Sequence, residues 1–134
     1  MSFLHVIDSD RELGVAGLTG RVTADVFCDA MHALYGDPQW KPGMKALWDL
    51  RFIDQLIIVP EDISDILAVV ESLRDALGNG NAAFVTSQEP VHSVASLLVL
   101  HSQVPQRDRR VFRDIGDALD WLGVTLPDEY EPSS

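Results

Sequence analysis

The chain has 134 residues, 46% of them hydrophobic and 23% charged. That is the composition of one folded domain with room for a core, not of a disordered segment. Its net charge of −11 argues against nucleic acid and anionic membrane surfaces as partners, because their phosphates repel such a chain.

Cys28 is the only cysteine, which excludes an intramolecular disulfide and a cysteine metal cluster. A basic start leading into an apolar run, the mark of a signal peptide, is missing. The longest apolar run, residues 94–100, is too short to span a bilayer. The expected compartment is the cytoplasm.

In chain order, residues 3–7 (FLHVI) read as a strand and residues 12–18 (ELGVAGL) as a second one, joined by a turn-rich link that implies an antiparallel hairpin. Thr23 is a good N-cap for a helix through Tyr35, which Gly36 ends. Residues 37–43 form a loop stiffened by Pro38 and Pro42. Residues 44–50 (MKALWDL) carry apolar side chains toward both faces, as a strand in the middle of a sheet does. Pro60, Glu61 and Asp62 suit a helix start. Apolar residues then recur at helical spacing to Leu77, and Gly78 stops the run. Residues 81–86 (NAAFVT) are a third buried strand, and Pro90 opens a helix to about Ser102. Residues 109–112 are a last strand, with arginines suited to a sheet edge. Asp114 caps a final helix that ends at Gly123. Residues 124–134 form an acidic tail, expected to be mobile. The order ββαβαβαβα predicts a single α/β domain over residues 1–123, with a mostly parallel sheet, an antiparallel N-terminal edge strand and four helices.

This order resembles the STAS fold, named for sulfate transporters and anti-sigma factor antagonists, and more closely the stage II sporulation protein AA-like family of small stand-alone domains. Three stretches carry the resemblance: Tyr35-Gly36-Asp37-Pro38-Gln39-Trp40-Lys41-Pro42-Gly43-Met44 leading into Leu47-Trp48-Asp49-Leu50-Arg51; the strand and turn ending Pro90-Val91-His92; and Val111-Phe112-Arg113-Asp114 with Ala118-Leu119-Asp120-Trp121-Leu122. The resemblance implies a non-enzymatic domain that binds other proteins, and for some members a nucleotide or an apolar ligand. Anti-sigma antagonists carry a phosphorylatable serine in an Asp-Ser-Ser-Gly turn after the central strand. Here the matching turn is taken as residues 52–57, where Asp54 keeps the aspartate while Gln55 and Leu56 replace the serines. Ser64 is the nearest hydroxyl, beside Asp62 and Asp65, whose charges would repel an added phosphate.

Other constellations weigh less. Asp8, Asp10, Asp49, Thr86 and Arg109 or Arg110 echo a phosphoacceptor receiver, but a receiver needs a helix directly after its first strand, and residues 12–18 read as a strand. No two histidines of His5, His32, His92 and His101 stand three or four residues apart, so no helical pair of metal ligands is present. Asp25 and Asp29 beside Cys28 disfavour a thiolate. Asp49 and Asp54 could pair as acid and base, but they lack a partner base and are taken as turn formers.

The helix of residues 91–101 is apolar almost all round. It is either sandwiched or exposes a surface for a partner or ligand, with Trp40 as a rim residue or a core residue. The expected function is a non-enzymatic interaction or regulatory module needing no cofactor and no metal. Its partner is another protein, with a homodimer left open. The runner-up is binding of a small apolar, lipid-like ligand. The candidate residues are Trp40, Asp54, Gln55, Leu56, Ser64, His92, Leu97, Leu100 and His101.

Overall fold

The computed structural model describes residues 3–101 and 108–131. The elements are β1 (Phe3–Asp8), β2 (Leu13–Thr23), α1 (Ala24–Tyr35), β3 (Lys45–Ile57), α2 (Pro60–Ser72), α3 (Arg74–Leu77), β4 (Ala82–Val85), α4 (Glu89–His101), β5 (Arg109–Phe112) and α5 (Ile115–Leu122). One 5-stranded sheet runs in the order β1-β2-β3-β4-β5. Its first pair is antiparallel and the rest are parallel, as the apolar spacing predicts. Among the described residues the strand order follows the chain order without reversal.

The period-two alternation of β3 assigns its side chains. Ala46, Trp48 and Leu50 point to a first face covered by α1, α2 and α4. Leu47 points to a second face, covered by α5 and by Tyr130 from the C-terminal segment. Trp48 is the hub of the first face. Its ring lies between Phe27 of α1 and Phe84 of β4, with centroids 5.4 and 6.3 Å away. Its Nε1–H donates to the Tyr35 hydroxyl at 3.0 Å. Aromatic pairs of this kind add about 0.5–1.5 kcal/mol each beyond the area they bury.

The helix caps form where the residue types place them. Thr23 Oγ1 accepts from the Val26 N–H at 3.3 Å. Asp114 Oδ2 accepts from the Asp117 N–H at 3.0 Å, and Gly123 closes α5 in the left-handed region at φ 73.

Four expectations are corrected or settled. First, residues 52–57 are not a turn: they are the second half of β3, paired with an extension of β2 through Thr23. Two register shifts, between Gly17 and Thr19 and between Gly20 and Arg21 on the β2 side, let β3 carry extra residues there. These bulges break the alternation that a strand reading depends on. Second, the helix from Pro60 is interrupted at Leu73, so the described helices number five rather than four. The Ser72 hydroxyl donates to the Val69 carbonyl at 2.7 Å and competes with the backbone ladder just before the break. Third, the open choice for Trp40 falls to the core: it is buried against Tyr35, and its Nε1–H donates to the Ala76 carbonyl at 2.7 Å. It is a core residue. Fourth, residues 124–131 lie on the sheet rather than trailing from it, with Pro127 and Tyr130 buried. The remainder of the expected tail, and Ser102 at the expected end of α4, are outside the described residues.

Candidate functional site

Two regions combine chemistry with a defined shape. The first is a polar cluster on the second face, where β3 passes beyond the end of β4. Asp49 is 0% exposed. It stands opposite Gly17 of β2, whose missing side chain leaves the space that the Tyr130 ring fills. The Tyr130 hydroxyl donates to Asp49 Oδ2 at 2.6 Å. Arg51, two residues along the strand and on the same face, donates Nε–H to Oδ1 at 2.8 Å and Nη2–H to Oδ2 at 2.9 Å. The Arg51 backbone N–H, at the first bulge of β3, donates to Oδ1 at 3.1 Å. Asp49 is thus saturated with donors and sealed from solvent.

Its neighbours have lost their ordinary acidity. Burial, and then the bond to Asp49, push the Tyr130 phenol well above the usual tyrosine range. The hydrogen bonds to Asp49 hold the Arg51 guanidinium more firmly protonated than in water, against the effect of burial. A neutral phenol, a permanent cation and a fully bonded carboxylate form a structural network, not an acid/base pair. Asp54 is exposed on the β3 arm and is no partner to Asp49.

Beside this cluster, Thr86 at the end of β4 is 1% exposed, and its Oγ1 lies 2.9 Å from Nδ1 of half-buried His92. The neighbouring turn residues secure the arm. Ser87 Oγ–H donates to the Arg51 carbonyl at 2.7 Å, and Gln88 Nε2–H donates to the Ile53 carbonyl at 3.0 Å. Two side chains thus stand in for the strand that β4 no longer supplies.

The second region is the helical side of the first face. A cavity of about 60 Å³ lies between the sheet and α1, α2 and α4. Phe27, Trp48, Ile66, Val70, Leu98 and Arg109 of β5 are among its lining residues. On the outer side of α4, Leu97 is 42% and Leu100 is 74% exposed. Phe52 and Val59, near the tip of the β3 arm, are also exposed.

The sequence candidates separate accordingly. Leu56 lines the cavity, while Asp54 and Gln55 are exposed on the same arm. His92 is half-buried beside Thr86, whereas Leu97, Leu100 and His101 are exposed along α4. Ser64 is exposed in the first half of α2, and its hydroxyl donates to the Glu61 carbonyl at 3.1 Å. Trp40 is not among the cavity residues. Sequence reasoning missed Arg51 and Tyr130. A carboxylate and a guanidinium two residues apart within an apolar strand were a usable signal for a same-face ion pair. A lone tyrosine in an acidic tail was not.

No family model and no curated protein matches the chain. Among solved structures, it is similar to an uncharacterized protein of the DUF3478 family from Shewanella loihica PV-4, described as having a SpoIIAA-like fold. The TM-score is 0.59 at 17% sequence identity, over 90% of this chain and 94% of the other. The chain therefore has a SpoIIAA-like α/β fold, as its strand order and turn residues led one to expect. Among the described residues, no helix is long and apolar enough to cross a membrane.

Proposed function

We propose that this chain is a non-enzymatic interaction module of the anti-sigma factor antagonist-like kind, which engages a protein partner through the outer side of α4. The observation that carries this reading is the exposure of Leu97 and Leu100 on a helix whose inward face is already filled by Val91 and Ala95. Large apolar side chains held in water gain free energy when a partner covers them, at about 25 cal/mol per Å². A serine switch of the sporulation type is not part of the proposal, because the turn from β3 into α2, residues 58–60, carries no hydroxyl.

The test is affinity capture from the native host with the wild-type chain and with a Leu97→Asp/Leu100→Asp double variant. A partner held by the wild type and lost by a folded double variant supports the reading. A partner held equally by both removes α4 from the interface.

The largely apolar wall of the cavity favours a second reading, a carrier of a small apolar ligand. Ligand sites usually measure about 300–1,000 Å³. The present 60 Å³ would therefore have to grow by movement of α2 away from α4. Native mass spectrometry of protein purified gently from its host decides this. A stoichiometric adduct released on denaturation supports the carrier, and a bare chain overturns it.

A further inference from the structure

We propose that residues 124–131 form a strap that opens and recloses over the second face of the sheet as one unit, latched by the Tyr130–Asp49 hydrogen bond, and that its opening uncovers the Asp49–Arg51 pair. The strap follows the left-handed Gly123 and contains no helix or strand. Pro127 and Tyr130 are buried in it, Val124 and Leu126 are half-buried against the second-face core, and Thr125, Asp128, Glu129 and Glu131 are exposed. Its backbone bonds run to α5, from the Val124 N–H to the Leu119 carbonyl, and within itself, from the Tyr130 N–H to the Pro127 carbonyl. The exposed Arg11 Nε–H adds a bond to Thr125 Oγ1 at 3.0 Å.

The strap meets the sheet through apolar side chains, the half-buried Val124 and Leu126 and the buried Pro127 and Tyr130, and Tyr130 adds a charge-assisted bond to Asp49. The ring has a slot made for it: a Cβ at Gly17 would come within 2.4 Å of the Tyr130 hydroxyl oxygen. A segment that shares no backbone ladder with the sheet opens at lower cost than the strands beneath it, because no strand pairing is broken. The open state is also tolerable for Asp49. It loses the phenol but keeps its bonds from Arg51, so no buried charge is stranded.

Native-state hydrogen exchange of the full chain at rising urea concentration tests this, with wild type, Tyr130→Phe and Gly17→Ala compared. The Ala46 amide, bonded to the Asn81 carbonyl at the centre of the sheet, reports global unfolding. In the wild type, the Val124 and Tyr130 amides are expected to exchange faster than Ala46, with a much smaller urea dependence. Tyr130→Phe deletes the latch, and Gly17→Ala pushes the phenol out of its slot. Each should speed the strap amides by about ten- to a hundredfold, the worth of a hydrogen bond to a charged group. One rate and one urea slope for all of these amides would make Tyr130 an ordinary core residue and overturn the proposal. So would strap amides that exchange in the wild type as fast as in an unstructured chain, or that ignore both substitutions.

Discussion

Asp49 shows how far a single residue can be understood from its neighbours in sequence, and where that stops. A carboxylate inside an apolar run reads as the end of a strand. The structure keeps it mid-strand because Arg51 supplies a bidentate partner and the bulge supplies a backbone N–H. These are local and were in principle legible. Gly17 opposite and Tyr130, 81 positions away, were not, because nothing in a sequence announces which glycine will face which ring. Asp49→Ala should leave the guanidinium and the phenol without their acceptor. Truncating one partner of a buried pair costs about 3–5 kcal/mol, and the partial exposure of Arg51 places the effect at the lower end. Urea unfolding measures it, and a loss under about 1 kcal/mol would show that water replaces the carboxylate. Tyr130 adds a pH dependence of known sign. Its folded-state acidity is weaker than that of an ordinary tyrosine, which ionises near 10.0. Below that pH, folded and unfolded chains hold the same phenolic proton, and the contribution to stability is complete. Above it, the unfolded chain releases the proton while the folded one keeps it, so stability falls. Tyr130→Phe should flatten this alkaline loss, and a slope unchanged by the substitution would exclude the phenol as its source.

At the scale of elements, the chain was most legible where structure is local. The caps Thr23, Asp114 and Gly123, the strand at the sheet centre and the helical periodicity after Pro60 all follow from short-range rules. The β3 arm was hidden because its pairing partner is the continuation of β2, and its bulges shift the inward-facing residues from Leu50 to Ile53. Its exposed edge depends on side chains borrowed from the next crossover. Gln88→Ala should leave the Ile53 carbonyl without its donor, costing about 1 kcal/mol. The cost should appear as faster hydrogen exchange in the arm and the facing segment of β2, with the β3–β4 pairing at Ala46 to Asp49 retained. Exchange that rises equally across the whole sheet would mean the arm is no separate unit.

At the scale of the whole molecule, part of the net charge of −11 gathers where α1 meets α2. Asp25 and Asp29 on α1 and Asp62 and Asp65 on α2 all act on Cys28 where the two helices meet, and together with its burial they hold the thiol above its usual range. Burial is the larger influence, but the four carboxylates also act on one another. Asp25 and Asp29 are four positions apart on one helix, and Asp62 and Asp65 are three apart on the next. Like charges at these spacings cost about 0.2–0.5 kcal/mol per pair. The repulsion falls on the α1–α2 seam, along the roof of the apolar cavity. Salt relieves it, because the Debye length shrinks from about 30 Å at 0.01 M to about 8 Å at 0.15 M. The urea midpoint should therefore rise over that range. Asp65→Asn should recover part of the gain at low salt and reduce the further effect of added salt, because the substitution and the ions remove the same repulsion. A midpoint indifferent to salt would show that these side chains already splay far enough apart to be screened by water. In that case the α1–α2 seam would carry no electrostatic bias toward opening over the cavity.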